Sequence, residues 1–93
     1  MQSLWARIRN AIEEERYFIS MHADEQCAER GIESWQLVAM IHEARIQQER
    51  PPSLPNPTVV VRQHLAGGEE VESVWAWSQR FRQALLVTAY LPD

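Results

Sequence analysis

"TVVVRQHLAGGEEVESVWAWS", residues 58–78, decides the fold. Two runs of period two flank a Gly-Gly turn, the pattern of an antiparallel hairpin. In the first run, residues 58–65, Val59, Val61 and Leu65 share one face, with Gln63 as its polar exception. Val60, Arg62 and His64 share the other. The apolar set reads as the core face, which leaves Arg62 and His64 on the open one. Residues 71–78, "VESVWAWS", form the return strand, and Trp75 and Trp77 share a face there, suited to a core or to an aromatic interface.

Working outward, "QALLVTAYL" (83–91) reads as one more strand, in which Leu85, Val87 and Ala89 alternate with Leu86, Thr88 and Tyr90. Upstream, "ARIQQER" (44–50) reads as the first strand and ends at "PPSLPNP" (51–57), which proline bars from helix and central strand. The P-S-L-P inside it matches a P-x-x-P ligand, but one isolated match reads more simply as a stiff loop.

Before Ala44 the period is helical. Residues 3–16 place Leu4, Ile8, Ala11 and Ile12 on one stripe, widened by Trp5. Glu13, Glu14 and Glu15 oppose the dipole at its end, so fraying is expected in the last turn. "YFIS" (17–20) reads as an apolar link. Ser20 then caps a second helix that stops at Gly31, with Ile32 as the apolar contact that accompanies such a stop. Ser34 reads as the cap of a third helix, residues 35–44, expected to be the most buried of the three. Helices succeeded by a meander predict an α+β domain, N-terminal helices packed on a three- or four-stranded antiparallel sheet.

The chain has 93 residues, the size of one domain, and 45% of them are hydrophobic. One cysteine, Cys27, excludes an intramolecular disulfide and fits a reducing cytosol. No apolar run reaches the roughly 20 residues of a membrane helix, and the N-terminus lacks the apolar core of a signal peptide. A cytoplasmic protein without membrane partners is the expectation. All nine cations are Arg. Residues 1–49 carry five Arg and nine acids, whereas residues 50–93 carry four of each. A phosphate-facing surface is therefore expected mainly in the C-terminal half.

The three histidines, His22, His42 and His64, lie 20 and 22 residues apart, with no cysteine or carboxylate at metal-ligand spacing. No metal and no cofactor are expected. His42, within the apolar third helix, reads as a core or boundary residue. If Thr88 and Tyr90 face the same side as Arg62 and His64, the sheet gathers the groups of metal-free RNA cleavage. The plain alternative is an ordinary solvated sheet face. His22 and Arg30 are eight residues apart on one helix, too far to touch one small atom unless the helix end bends.

"S-x-H-A" at Ser20–Ala23, "E-R-G-I" at Glu29–Ile32 and "V-T-A-Y-x-P" at Val87–Pro92 resemble the bacterial domain of unknown function 4258 (DUF4258). The resemblance runs from about residue 17 to the end. It implies a fold similar to the RelE/ParE-like toxins, many of which cut RNA, and it marks His22, Arg30, Gly31, Thr88 and Tyr90. One position departs: family members often carry Arg four residues after the histidine, and here Gln26 stands there.

These residues admit two readings. In the first, a small toxin-type endoribonuclease uses His22, His64, Thr88 and Tyr90 in acid/base cleavage. Arg30 and Arg62 contact phosphate, and the partners are RNA or the ribosome and a cognate antitoxin protein. In the second, the same fold is a non-catalytic protein-interaction module. His22 is expected near Thr88 or Tyr90, with a polar partner.

Overall fold

A computed structural model describes residues 2–50 and 56–92. The P-S-L-P motif lies outside the described residues. Helices α1 (Leu4–Glu13), α2 (Met21–Glu29) and α3 (Ser34–Ala39) accompany strands β1 (Tyr17–Ile19), β2 (Arg45–Arg50), β3 (Thr58–His64), β4 (Glu70–Ser78) and β5 (Gln83–Tyr90). A 3₁₀ turn, Ile41–Glu43, links α3 to β2.

The sheet has five strands in the order β1-β5-β4-β3-β2. Strands β2 to β5 form the expected antiparallel meander. The fifth member is the "YFI" segment, which pairs parallel with β5, Tyr17 opposite Ala84 and Ile19 opposite Leu86. A purely antiparallel sheet of three or four strands is thereby corrected to a mixed sheet of five. The physical reason is that three residues show too little alternation to declare a strand, and their partner lies far away in the chain.

Each helix shows how local sequence sets its ends. Ser3 Oγ accepts from Ala6 N at α1, and Ser20 Oγ accepts from Ala23 N at 3.0 Å at α2. Helix α2 stops at Gly31, whose φ is +70°, while Ile32 N donates to Cys27 O at 2.8 Å and Ile32 is buried. Helix α1 ends in the same motif with a less suitable residue. Arg16 N donates to Ala11 O at 2.7 Å and Glu15 N to Ile12 O at 3.0 Å, with Glu15 at φ +64°. A side chain in that left-handed conformation costs about 1–2 kcal/mol relative to glycine. Glu15→Gly is therefore expected to raise stability by about 0.5–1 kcal/mol, after the extra unfolded-state freedom of glycine is subtracted. A rise in the urea midpoint at unchanged slope checks this.

The third helix is shorter than expected. Ser34 is its first residue rather than its cap, and Ser34 Oγ donates to Asp24 Oδ1 of α2 at 2.8 Å. Only Leu37 is buried along α3, and Trp35 is 62% exposed. The most buried helix is α1, which contributes Trp5, Ile8, Ala11 and Ile12 to the core. The break at Met40 turns His42 outward beside Glu43, so it is an exposed residue and not a core one.

The core lies between the helices and one sheet face. Val59, Val61, Val71, Trp75, Trp77, Ala84, Leu86 and Ala89 point into it. Trp75 is completely enclosed, its Nε1 donating to Ser73 Oγ at 3.0 Å. Gln63, the expected polar exception, is 2% exposed and donates from Nε2 to Leu37 O at 3.2 Å. Both Trp75 and Trp77 are thus core residues.

Candidate functional site at the α2–β5 seam

The register settles which side chains share the sheet face opposite the core. Arg62 lies opposite Glu72, and Glu72 opposite Tyr90; Val60 lies opposite Val74, and Val74 opposite Thr88. His64 lies opposite Glu70 at the end of the hairpin. Arg62, His64, Thr88 and Tyr90 therefore occupy one face. The alternation along β5 is not uniform, however. Val74 pairs with Thr88 while Trp75 pairs with Leu86, so Val87 is an extra, bulged residue. The bulge sends Leu86 into the core, separating it from Thr88 and Tyr90, with which simple alternation groups it.

Two polar groups form on this face. In the first, Arg62 Nε donates to Glu72 Oε2 at 2.9 Å, and Arg62 Nη1 reaches Glu70 Oε1 at 3.0 Å. His64 Nε2 stands 3.9 Å from the other oxygen of Glu70. The hydrogen bond from Arg62 holds the Glu72 carboxyl below its usual range and keeps the Arg62 guanidinium above its own. Burial, and then the adjacent Glu72 carboxylate, push the Tyr90 phenol up. Arg62 is thus bracketed by two carboxylates.

The second group lies where β5 outruns β1. Strand β1 pairs with β5 only as far as Leu86, and α2 packs along β5. Arg30 Nη1 donates to Ala89 O at 2.9 Å and lies 3.5 Å from Thr88 Oγ1. Thr88 Oγ1 in turn donates to Gln26 Oε1. Gln26 thus fills the gap between helix and strand with a neutral amide. His22 lies one turn before Gln26 on α2, exposed, with no hydrogen bond among the described residues. The polar partner expected for it is absent because an imidazole left in water needs none.

Of the six residues singled out, Arg30, Thr88 and Tyr90 come together around the end of β5, with His22 on the adjoining helix. Arg62 joins through Glu72, and His64 lies farther along the hairpin. The acids Glu70 and Glu72 escape a reading of the sequence. Their signal is a cross-strand position opposite Arg62 and His64, legible once "AGGEE" is given a hairpin register. Among the described residues no cluster of three or more potential metal ligands occurs.

The fold is an α+β domain with a five-stranded mixed sheet and a helix-to-strand seam at which Arg30 meets Thr88 and Ala89. The family model for the domain of unknown function DUF4258 matches residues 19–91, and the chain belongs to that family. No curated protein and no solved structure matches the chain.

Proposed function

We propose that the chain is a small RNA-directed domain of the RelE/ParE toxin type, cleaving RNA by metal-free acid/base chemistry at the α2–β5 seam. The observation that carries this reading is Arg30, held by Ala89 O and Thr88 at the point where α2 meets β5. That bond fixes the C-terminal end of α2 against Tyr90's strand, and His22 lies about two turns earlier on the same helix.

In such a reaction a base removes the 2′-hydroxyl proton, and the oxygen attacks phosphorus. The 5′-oxygen then leaves with a proton, producing a 2′,3′-cyclic phosphate. The imidazole of His22, exposed on α2, is the base that takes the 2′-hydroxyl proton. Tyr90, whose phenol burial and the Glu72 carboxylate push up, gives the other proton to the leaving 5′-oxygen. Arg30, about 12 Å along α2 from His22, meets a neighbouring backbone phosphate and not the scissile one. Arg62, between Glu70 and Glu72, positions Tyr90, and His64 lies outside the reacting group.

Arg30→Gln is expected to weaken binding of single-stranded RNA and to flatten its dependence on salt by about one unit of slope. Filter binding at several salt concentrations checks this. Glu72 adds a pH dependence. Its carboxyl is held low, so the stability it contributes is present above the ordinary carboxylate range and is lost as pH falls through the depressed value. Thermal melts between neutral and acid pH are expected to show a smaller acid-side loss for Glu72→Gln than for the parent chain. In that variant the Tyr90 phenol should also titrate closer to its ordinary value.

A second reading, a protein-interaction module of the same fold, is favoured by a separate observation. Phe18 is 54% and Phe81 65% exposed, and together with Leu85 they border an apolar groove. Folded protein that neither binds nor cleaves RNA at low salt would leave this reading in place of the first.

A further inference from the structure

We propose that a cleft between α1 and the β4–β5 turn binds a phosphate ester. The cleft encloses ≈ 440 Å³ and uses no residue of the α2–β5 seam. Three guanidiniums line it, those of Arg7, Arg16 and Arg82, against one carboxylate, Glu14. That carboxylate is already engaged, because Arg16 Nε donates to Glu14 Oε1 at 3.1 Å. Arg7 and Arg82 have no ion-pair partner among the described residues. The cleft is therefore a locally cationic place on a chain of net charge −4.

The donors are held in position. Arg7 lies over the Trp77 ring, 5.7 Å from its centroid. Trp77 Nε1 donates to Gln79 Oε1 at 3.0 Å, and the amide NH₂ of Gln79, which lines the cleft, has no acceptor among the described residues. Arg16 Nη1 donates to Arg82 O at 2.7 Å, tying the turn to the end of α1. Arg82 itself sits at φ +53°, a conformation that costs a side chain energy and that glycine would adopt freely. The Arg82 guanidinium lines the cleft from the β4–β5 turn. Fork-shaped donors arriving from α1 and from the hairpin suit a tetrahedral anion with several acceptor oxygens better than a planar carboxylate.

The test titrates the full chain by ¹H–¹⁵N NMR at constant ionic strength. The probes are inorganic phosphate, a 5′-mononucleotide, a single-stranded oligoribonucleotide and acetate. Saturable shifts at the Trp77 indole and at Arg7 and Arg82 are expected with phosphate. Arg7→Gln and Arg82→Gly should each weaken binding about tenfold, the loss of one charge-assisted hydrogen bond. Glycine suits the backbone at position 82, so that variant keeps the fold. Arg45→Gln on β2, outside the cleft, should bind like the parent. Tighter binding of the mononucleotide than of the oligonucleotide identifies a small phosphate ester, and the reverse identifies a polymer backbone. Either order supports the proposal. Linear shifts spread over many arginines, equal affinity for acetate, or unchanged binding by both cleft variants would overturn it. Loss of RNA cleavage in His22→Ala with phosphate binding retained would separate this site from the seam.

Discussion

Replacing His22 by Ala is expected to lower RNA cleavage by about 10²–10⁴, the usual loss when a general acid or base is removed. His22 is exposed and hydrogen-bonded to nothing among the described residues, so the substitution leaves the core intact and should shift stability by no more than about 0.5 kcal/mol. That separation of activity from stability is what makes the variant informative. A buried histidine would abolish activity merely by unfolding the domain. Circular dichroism and a urea titration establish that the fold is kept, and cleavage of a labelled single-stranded RNA at low salt reads the rate. In cells, slowed growth on expression of the parent chain should be relieved by the same substitution. A folded His22→Ala protein that retains full cleavage would remove His22 from the reaction and leave Tyr90 as the proton carrier of the seam. A parent chain without RNA binding or cleavage would remove the nuclease reading altogether.

Trp75→Ala is expected to cost about 3–5 kcal/mol, the range for emptying a fully buried aromatic site. Trp75 is 0% exposed, sits in the core cluster with residues of α1 and α2, and satisfies its indole N–H at Ser73. Removing it leaves a cavity that the strands on both sides of β4 keep from collapsing. A domain of this size has only about 5–15 kcal/mol of stability in total, so the variant should be largely unfolded on mild heating. Trp35→Ala is the matched control. Its ring is 62% exposed on α3, and the change should stay within about 0.5 kcal/mol. Equal midpoints for the two variants in a chemical denaturation series would contradict a core built around Trp75. The contrast also decides what the tryptophans are for. Trp5, Trp75 and Trp77 build the core, and Trp35 alone offers a ring to solvent.

The meander, the three helices and the faces of β3 come from the amino-acid sequence alone, because each rests on local patterning. Alternation over residues 58–65 places Gln63 inside and Arg62 outside, and the capping residues Ser20 and Gly31 bound α2 where they stand. Short-range sterics and the need to bury apolar side chains are enough for these. Three features are decided only by the tertiary structure. Strand β1 is three residues long and gains its identity from β5, at the other end of the chain. The bulge at Val87 is a local slip that keeps Leu86 in the core while Thr88 and Tyr90 stay on the far face; period-two reading has no means to place such a slip. The pairing states of the arginines are the third. Arg62 reads as a phosphate contact on the open sheet face and lies between Glu70 and Glu72, whereas Arg7 and Arg82, unremarkable in the chain, line one cleft. Charge pairing depends on distances of a few ångströms between side chains, and only the packed chain sets those distances.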